Sequence, residues 1–593
     1  MPHRRANLLL IIAMLLAWAA TPHPAPAASE RLPTQLSDAP FGLNTHLATR
    51  YTELEHMDVP ASLVAQTGAS WVREDIQWWR VQPTPDTWDW SYTDAAFRAL
   101  LQHNINIVAV LGHPPGWATP DATDSATDVS FAAPDIERFA VFANAAAQRY
   151  GHYIHHWEIW NEPDNPLFWK PAPDANAYAA LLKRASIAIH GVAPDAQVLL
   201  GGINPFNIAF LRQVAQAGAW GSFDILAIHP YIDPATPEEG NLLAAADGVR
   251  ALAAQLGPKP IWVTEVGWAS GPGDHDAVGM LDEQGQAQML VRGLLLLWRA
   301  GIERIFWYTL KDDQNNPYGL IALGNGRADY SRLKPAYYAF QTLVRQTNGA
   351  EFMALNDLFT RTTVLDFETF GAWRRGDQPN GMLTPTSTQT HSGRTGARLD
   401  YTFPSRGNDY VVFLRDRPAF IPGAPYALGV WVYGDGSGHQ LKLWLQDATG
   451  ELLQFTLGTI GPPGWRLLEA PISGIVPVWN RIRNAGDGKV QFPARIAALV
   501  LDDGDDQYSG SGSIVLDDII ALSGPEAYDF QLRQNNTTID ILWAPQGQRA
   551  AIRTQAEQAA VIAIDGSLST ASATDGKLTF SLGPSPIYVR HSY

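Results

Sequence analysis

Two short segments carry residues fit for acid–base and nucleophilic chemistry, Trp160-Asn161-Glu162-Pro163 and Ile261-Trp262-Val263-Thr264-Glu265. Each sets one glutamate at the end of an apolar, β-branched and aromatic run that reads as a buried parallel strand, with a loop directly after it. In a closed (β/α)8 barrel, strand ends of this kind hold the reacting groups. Two carboxyls facing each other there are the minimum equipment for breaking a glycosidic bond. The leaving oxygen is basic, so one carboxyl must protonate it. The sugar left behind resembles an oxocarbenium cation, so the other must attack or stabilise the anomeric carbon. The acid needs a raised pKa and the nucleophile must stay ionised. The aromatic company of Glu162 favours its neutral form, and an arginine beside Glu265 would keep that group charged.

Such a pair needs a scaffold, and the pattern from about residue 41 to 345 provides one. Short apolar runs alternate with longer helical stretches, as in βαβ units with a parallel sheet. Eight strands are expected, at 41–44, 71–75, 105–112, 157–161, 197–201, 223–229, 260–265 and 303–308. That number over roughly 300 residues fits one closed barrel, a TIM barrel, assigned here to residues 36–346. Beyond it the chain turns to short alternating strands parted by Gly, Asp and Asn turns, a β-sandwich pattern. The expected class is therefore multidomain: a (β/α)8 barrel followed by all-β domains. Residues 361–524 form an inserted jelly-roll, and residues 347–360 plus 525–593 form a small accessory β-domain.

Composition narrows the partners. The 593 residues carry 42 basic and 59 acidic side chains, a net charge of −17, which disfavours nucleic acid and anionic membranes. Cysteine is absent, which excludes disulfides and thiolate metal sites. Arg4 and Arg5, an apolar run from Leu8 to about Ala20, and Ala25-Pro26-Ala27 read as a signal peptide over residues 1–27. The expected protein is secreted or extracytoplasmic, without stable membrane insertion after processing. Its oligomeric state is not readable from sequence.

Trp160-Asn161-Glu162-Pro163 on strand four with a glutamate on strand seven resembles the clan A glycoside hydrolases, which are retaining (β/α)8 enzymes. Trp71-Val72-Arg73, His113-Pro114-Pro115-Gly116-Trp117, His229-Pro230-Tyr231 and the Trp307 strand bring the likeness closest to glycoside hydrolase family 39 and its polysaccharide-cleaving relatives. The resemblance covers about residues 41–345. It implies that Glu162 is the general acid/base and Glu265 the nucleophile. It implies that Asn161 binds the sugar 2-hydroxyl and Arg73 keeps the nucleophile ionised. His229 and Tyr231 position the nucleophile, His113 joins the substrate-binding residues, and Trp307 is the floor on which the sugar stacks. Catalysis then needs no cofactor, and the partner is an oligo- or polysaccharide. Glu158 reads as a structural carboxylate inside the barrel, and Asp75 and Asp164 as solvated loop acids. About half of Trp78, Trp79, Trp117, Trp169, Trp268 and Trp307 are expected to line the groove.

The inserted segment resembles carbohydrate-binding jelly-roll modules through Leu365-Asp366-Phe367-Glu368, His391-Ser392-Gly393-Arg394-Thr395-Gly396 and Ile514-Val515-Leu516-Asp517-Asp518-Ile519. There the resemblance implies paired first and last strands, and a structural Ca2+ held by Glu368 and Asp517 through hard oxygen ligands. Two alternatives stay open: a non-catalytic carbohydrate-binding envelope protein on a retired barrel, and a transglycosylase using the same residues.

Overall fold

The structure, a computed structural model, describes residues 39–592 apart from 52, 121–129, 206, 239–241, 274–280, 358–359, 473, 484–485, 505–507 and 524–525. The expected signal peptide lies outside the described residues. All eight barrel strands form: β1 Phe41–Asn44, β2 Trp71–Ile76, β3 Asn106–Leu111, β4 His156–Ile159, β5 Gln197–Leu200, β6 Leu226–Ile228, β7 Ile261–Val266 and β8 Arg304–Trp307. They lie in the order β5-β4-β3-β2-β1-β8-β7-β6. Parallel bridges Leu199 to Ile225 and Ile203 to Ile228 join the two edges and close the cylinder. Strands β3, β4, β5, β6 and β8 are shorter than expected. β4 stops at Ile159, so Asn161 and Glu162 stand in the following loop. β6 has three residues, and just before it the Asp224 carboxylate accepts the Val198 N–H at 2.8 Å.

The helices around the barrel are amphipathic and capped. Helix Ala175–His190 buries Tyr178, Leu181, Leu182, Ala185 and Ile189 at the three-to-four spacing of one face. Asp174 caps it through the N–H groups of Asn176 and Ala177, worth about 1 kcal/mol. The Tyr178 hydroxyl donates to Ile159 O and accepts from Gly201 N–H, pinning the helix to the ends of β4 and β5.

The barrel interior is layered. Val108, Leu199, Ile225, Ala227, Trp262 and Phe306, with Trp71 against them, fill its lower end. Side chains alternate along a strand, so Arg73 follows Trp71 inward, one layer up, in register with Asn44 of β1. Apolar fill thus gives way to a polar layer just beneath the strand ends.

Beyond helix Pro335–Thr347, strand β9 (Glu351–Asp357) joins an antiparallel sheet with strands Tyr528–Gln534, Thr537–Trp543, Gln558–Ile562, Leu568–Ser572 and Ile587–Ser592. Phe530, Leu532, Ile539, Ile541, Trp543 and Tyr588 of this sheet share one hydrophobic core with the barrel. Between β9 and those later strands lies a sandwich of two six-stranded sheets around its own core. Its first strand, Thr360–Leu365, pairs antiparallel with its last, Gly510–Ser523.

Candidate active site

Backbone geometry brings both glutamates over the barrel mouth. Trp160 (φ 73°) and Glu162 (φ 47°) adopt left-handed conformations that non-glycine residues rarely take. They fold the chain after β4 back across the opening. On β7, the pairing with β8 shifts register between Val263 and Val266. That irregularity lets the consecutive residues Thr264 and Glu265 both reach the axis, as bulges beside functional sites do. An oxygen of Glu162, an oxygen of Glu265 and a nitrogen of His229 all lie within 4.8 Å of one another.

Arg73 organises the layer below. Its Nε and Nη2 donate to the two oxygens of buried Glu158 at 2.8 and 3.0 Å. Nη1 donates to Glu265 Oε1 at 2.5 Å and to Asn44 Oδ1 at 3.0 Å, and Nη2 also reaches Asn161 Oδ1 at 2.8 Å. One guanidinium therefore holds the nucleophile candidate Glu265, Asn161 and the interior carboxylate Glu158 in a single frame. Tyr231 completes Glu265, donating its hydroxyl to Oε2 at 2.9 Å. Burial and the Glu265 charge raise the Tyr231 phenol well above its ordinary value, so it remains a donor.

His229 turns out to serve Glu162 first. Its Nδ1 lies 2.9 Å from Glu162 Oε1 and 3.8 Å from Glu265 Oε2, while Nε2 meets Thr264 Oγ1 at 3.0 Å. Its ring passes so close to the end of β5 that a Cβ on Gly202 would sit 1.9 Å from Nε2, so only glycine fits there. Burial opposes protonation of His229, but the Glu265 charge and the hydrogen bond to Glu162 hold its pKa above the ordinary histidine value. Burial pushes the Glu162 carboxyl up. The hydrogen bond and charge of His229, the Asn165 amide at 2.7 Å and Arg73 outweigh that and hold it below the ordinary range. The expectation that aromatic neighbours keep Glu162 neutral is thus corrected. The group facing it is a histidine that shares its proton.

The glutamates open into a cavity of about 940 Å³. His113 lines it, buried, with its ring against Trp160 and Phe131; burial lowers its pKa to about 4, leaving a neutral ring. Trp307, expected as the sugar floor, is fully buried against Trp268 and is not among the cavity-lining residues. The inward position belongs to its neighbour Tyr308, whose hydroxyl accepts from Arg50 Nη2 (2.9 Å) and Asn316 Nδ2 (3.1 Å). Phe306 already points inward, so alternation sends Trp307 out to the helices and Tyr308 in. Of the six candidate groove tryptophans, Trp79 alone lines the cavity.

Several cavity residues were given no site role from sequence. His46 Nδ1 donates to Asp75 Oδ2 (2.6 Å). Although burial opposes it, His46, Arg73 and Arg50 hold the Asp75 carboxyl far below its ordinary range. Asp75 is thus a buried, paired acid and not a solvated one. A hint was available in its place two residues beyond Arg73 on the same inward-facing side of β2.

Glu162, His229 and Glu265 also form the one group of three potential metal ligands found among the described residues. The Arg73 guanidinium already supplies the positive charge at Glu265, and the His229 nitrogen is committed to Glu162. The Ca2+ expected at Glu368 and Asp517 meets unsuitable ligands. Glu368 Oε1 accepts the Arg394 and Thr395 N–H groups at 2.6 and 2.8 Å. Asp517 Oδ2 accepts those of His391 and Ser392 at 2.8 and 3.2 Å, and its Oδ1 accepts that of Asp518 at 2.9 Å. These carboxylates bind backbone N–H donors of the turn, which a cation would have to displace.

A closed (β/α)8 barrel with two carboxylates, an arginine and a histidine converging at the C-terminal ends of its strands defines a glycosidase scaffold. Residues 68–329 match the family model described as a glycosyl hydrolase catalytic core. No curated protein matches the sequence. Among solved structures, the chain is similar to a family 39 glycoside hydrolase from the gut symbiont Bacteroides cellulosilyticus WH2. Identity there is 16%, over 94% of this chain and 82% of that one, with a TM-score of 0.51. It also aligns with a family 39 β-xylosidase from Caulobacter crescentus, at 16% identity over 68% and 84% of the two chains and a TM-score of 0.42. Residues 68–329 thus match a glycosyl hydrolase catalytic core, and the chain has a fold like that of a family 39 glycoside hydrolase.

Proposed function

We propose that the chain is a secreted, retaining glycosidase that cleaves O-glycosidic bonds of oligo- or polysaccharides by double displacement. The observation that carries this reading is the closeness of the two carboxylates. An oxygen of Glu162 and one of Glu265 lie within 4.8 Å. Retaining enzymes hold their carboxyls about 5–5.5 Å apart, whereas inverting ones leave ~6.5–9.5 Å for a water.

Glu265, clamped by Arg73 and Tyr231, attacks the anomeric carbon. The proton shared by His229 and Glu162 passes to the leaving oxygen through Glu162. In the second half, Glu162 takes a proton from water, which releases the sugar with its original configuration. Asn161, whose Oδ1 is fixed by Arg73, offers its amide to the 2-hydroxyl. Neutral His113 and Tyr308 bound the sugar. Export is supported by Arg4, Arg5, the apolar run after them and Ala25-Pro26-Ala27. A mature N-terminus near Ala28 on the exported protein tests that part.

A panel of polysaccharides and chromogenic glycosides, run with wild type, Glu162→Gln and Glu265→Ala side by side, tests the assignment. Wild type should release product from at least one panel member. Glu265→Ala should lose on the order of 10⁴-fold or more in kcat, as removal of a nucleophile does. Full activity in that variant sinks it.

A further inference from the structure

Two walls of the cavity face each other. The barrel order sets the β4 and β5 strand ends across from those of β1 and β8. His46, Arg50 and Tyr308 stand on the β1/β8 side, and Asp164 and Asn207 on the β4/β5 side; all line the cavity. Glu162 leaves the same loop as Asp164. A general acid meets the leaving oxygen on the side away from the nucleophile, so the departing group extends along the wall that carries the acid.

Asp164 on that wall has an unfinished hydrogen-bond set. Its Oδ2 accepts the Asn204 N–H at 3.2 Å and the Asn207 amide at 3.1 Å. Its Oδ1 is buried and meets no partner. A buried carboxylate oxygen without a donor costs free energy, so its retention at a cavity wall marks a place where a ligand supplies the donor. The donor must be O–H or N–H. Leu167 lines the same wall with 60% of its surface exposed, next to exposed Pro166, an apolar ledge beside a polar acceptor. An acceptor that is fixed by two donors, beside a small apolar ledge, suits a sugar ring presenting a hydroxyl edge and an apolar face.

Resting on the glycosidase reading above, we propose that Asp164, steadied by Asn207 and flanked by Pro166 and Leu167, binds a hydroxyl of the sugar on the leaving-group side. The group released is then itself a sugar, and the substrate is a glycan chain in preference to an alkyl or aryl glycoside. Burial and the Glu162 charge raise the Asp164 pKa to about 6. Above that pH the carboxylate accepts from the hydroxyl, and below it the acid no longer offers the same acceptor.

The test compares leaving groups. Wild type and Asp164→Ala are assayed on 4-nitrophenyl β-xyloside, β-glucoside, β-mannoside and β-galactoside, and on the corresponding β-1,4-linked disaccharides. The expected result is a fall in kcat/KM for the disaccharide at least tenfold greater than for the nitrophenyl glycoside of the same sugar. Equal falls, or none, overturn the proposal. Asp164→Asn, which keeps the size and one acceptor oxygen, should recover part of the disaccharide activity, and no recovery counts against a hydrogen-bonding role. If wild type cleaves no panel member, the glycosidase reading fails on these sugars and the subsite is read by binding. Glu265→Ala is then titrated calorimetrically with xylohexaose, cellohexaose and mannohexaose, with and without Asp164→Ala. Tenfold weaker binding in the double variant supports the subsite. Equal affinity, or no binding to Glu265→Ala, overturns it.

Discussion

Glu162 and His229 act as one titrating unit. Each alters the other in opposite directions, downward for the carboxyl and upward for the imidazole. The pair sheds its protons in two steps that belong to both residues. In wild type the last proton is held by His229 and survives until the pH rises through its raised pKa, which sets the alkaline limb of kcat/KM. In His229→Gln that proton has only Glu162 to hold it, with Asn165 and Arg73 still favouring the charged form. The alkaline limb should therefore move to lower pH by about 2 units, the gap between ordinary imidazole and carboxyl values. A pH–rate profile checks this, and an unmoved limb contradicts the pairing. Glu162 and Glu265 could be picked out from residue type and strand-end position, whereas Arg73, Asn161 and Tyr231 came only with the family resemblance. The partner of His229 could not, because two carboxylates lie near one ring and only coordinates separate 2.9 from 3.8 Å.

Alternation within strands explains where element-scale reading succeeded and where it slipped. All eight barrel strands were legible as apolar runs between helical stretches. The floor position implied by the family resemblance was set on Trp307, whereas period-two alternation from Phe306 turns its neighbour Tyr308 toward the cavity. Glu265 is the reverse case. Strict alternation from Trp262 would send it outward, and the register shift on β7, invisible in sequence, returns it to the mouth. The two positions on β8 should respond differently. Trp307→Ala empties a fully buried site and should cost ~3–5 kcal/mol of stability, read as a lower unfolding midpoint. Tyr308→Ala should keep the fold and lower kcat/KM roughly tenfold through lost sugar contact. Equal loss of stability in both, with equal activity, would contradict this assignment of faces.

The barrel core and the sandwich core differ in reach. The sandwich around Leu399, Leu443, Leu499 and Ile519 closes on itself. The accessory sheet closes one face on a small core around Leu542, Leu578 and Val589, and lays the other on the barrel. Phe530 packs on Trp298 with ring centroids 5.8 Å apart, and Trp543 donates to Glu238, the buried partner of Arg292 on helix Glu283–Arg299. Seven large side chains of that sheet, Ile562 among them, belong to the barrel core, at ~1.5–3 kcal/mol each, a sum comparable with the ~5–15 kcal/mol that holds a typical domain folded. A chain ending at residue 346 should accordingly be insoluble or melt far below the full protein, and an unchanged midpoint would contradict a shared core. Sequence spacing hinted at the return of the last segment to β9. It held no sign that this sheet serves the barrel, since apolar alternation does not name its partner.

The most direct measurement of the central claim is the anomeric configuration of the first product, followed by 1H NMR on a substrate that the panel identifies. With Glu162 and Glu265 this close, the product should appear first with the configuration of the bond that was broken and only later mutarotate. First appearance of the opposite anomer would contradict the double displacement through Glu265.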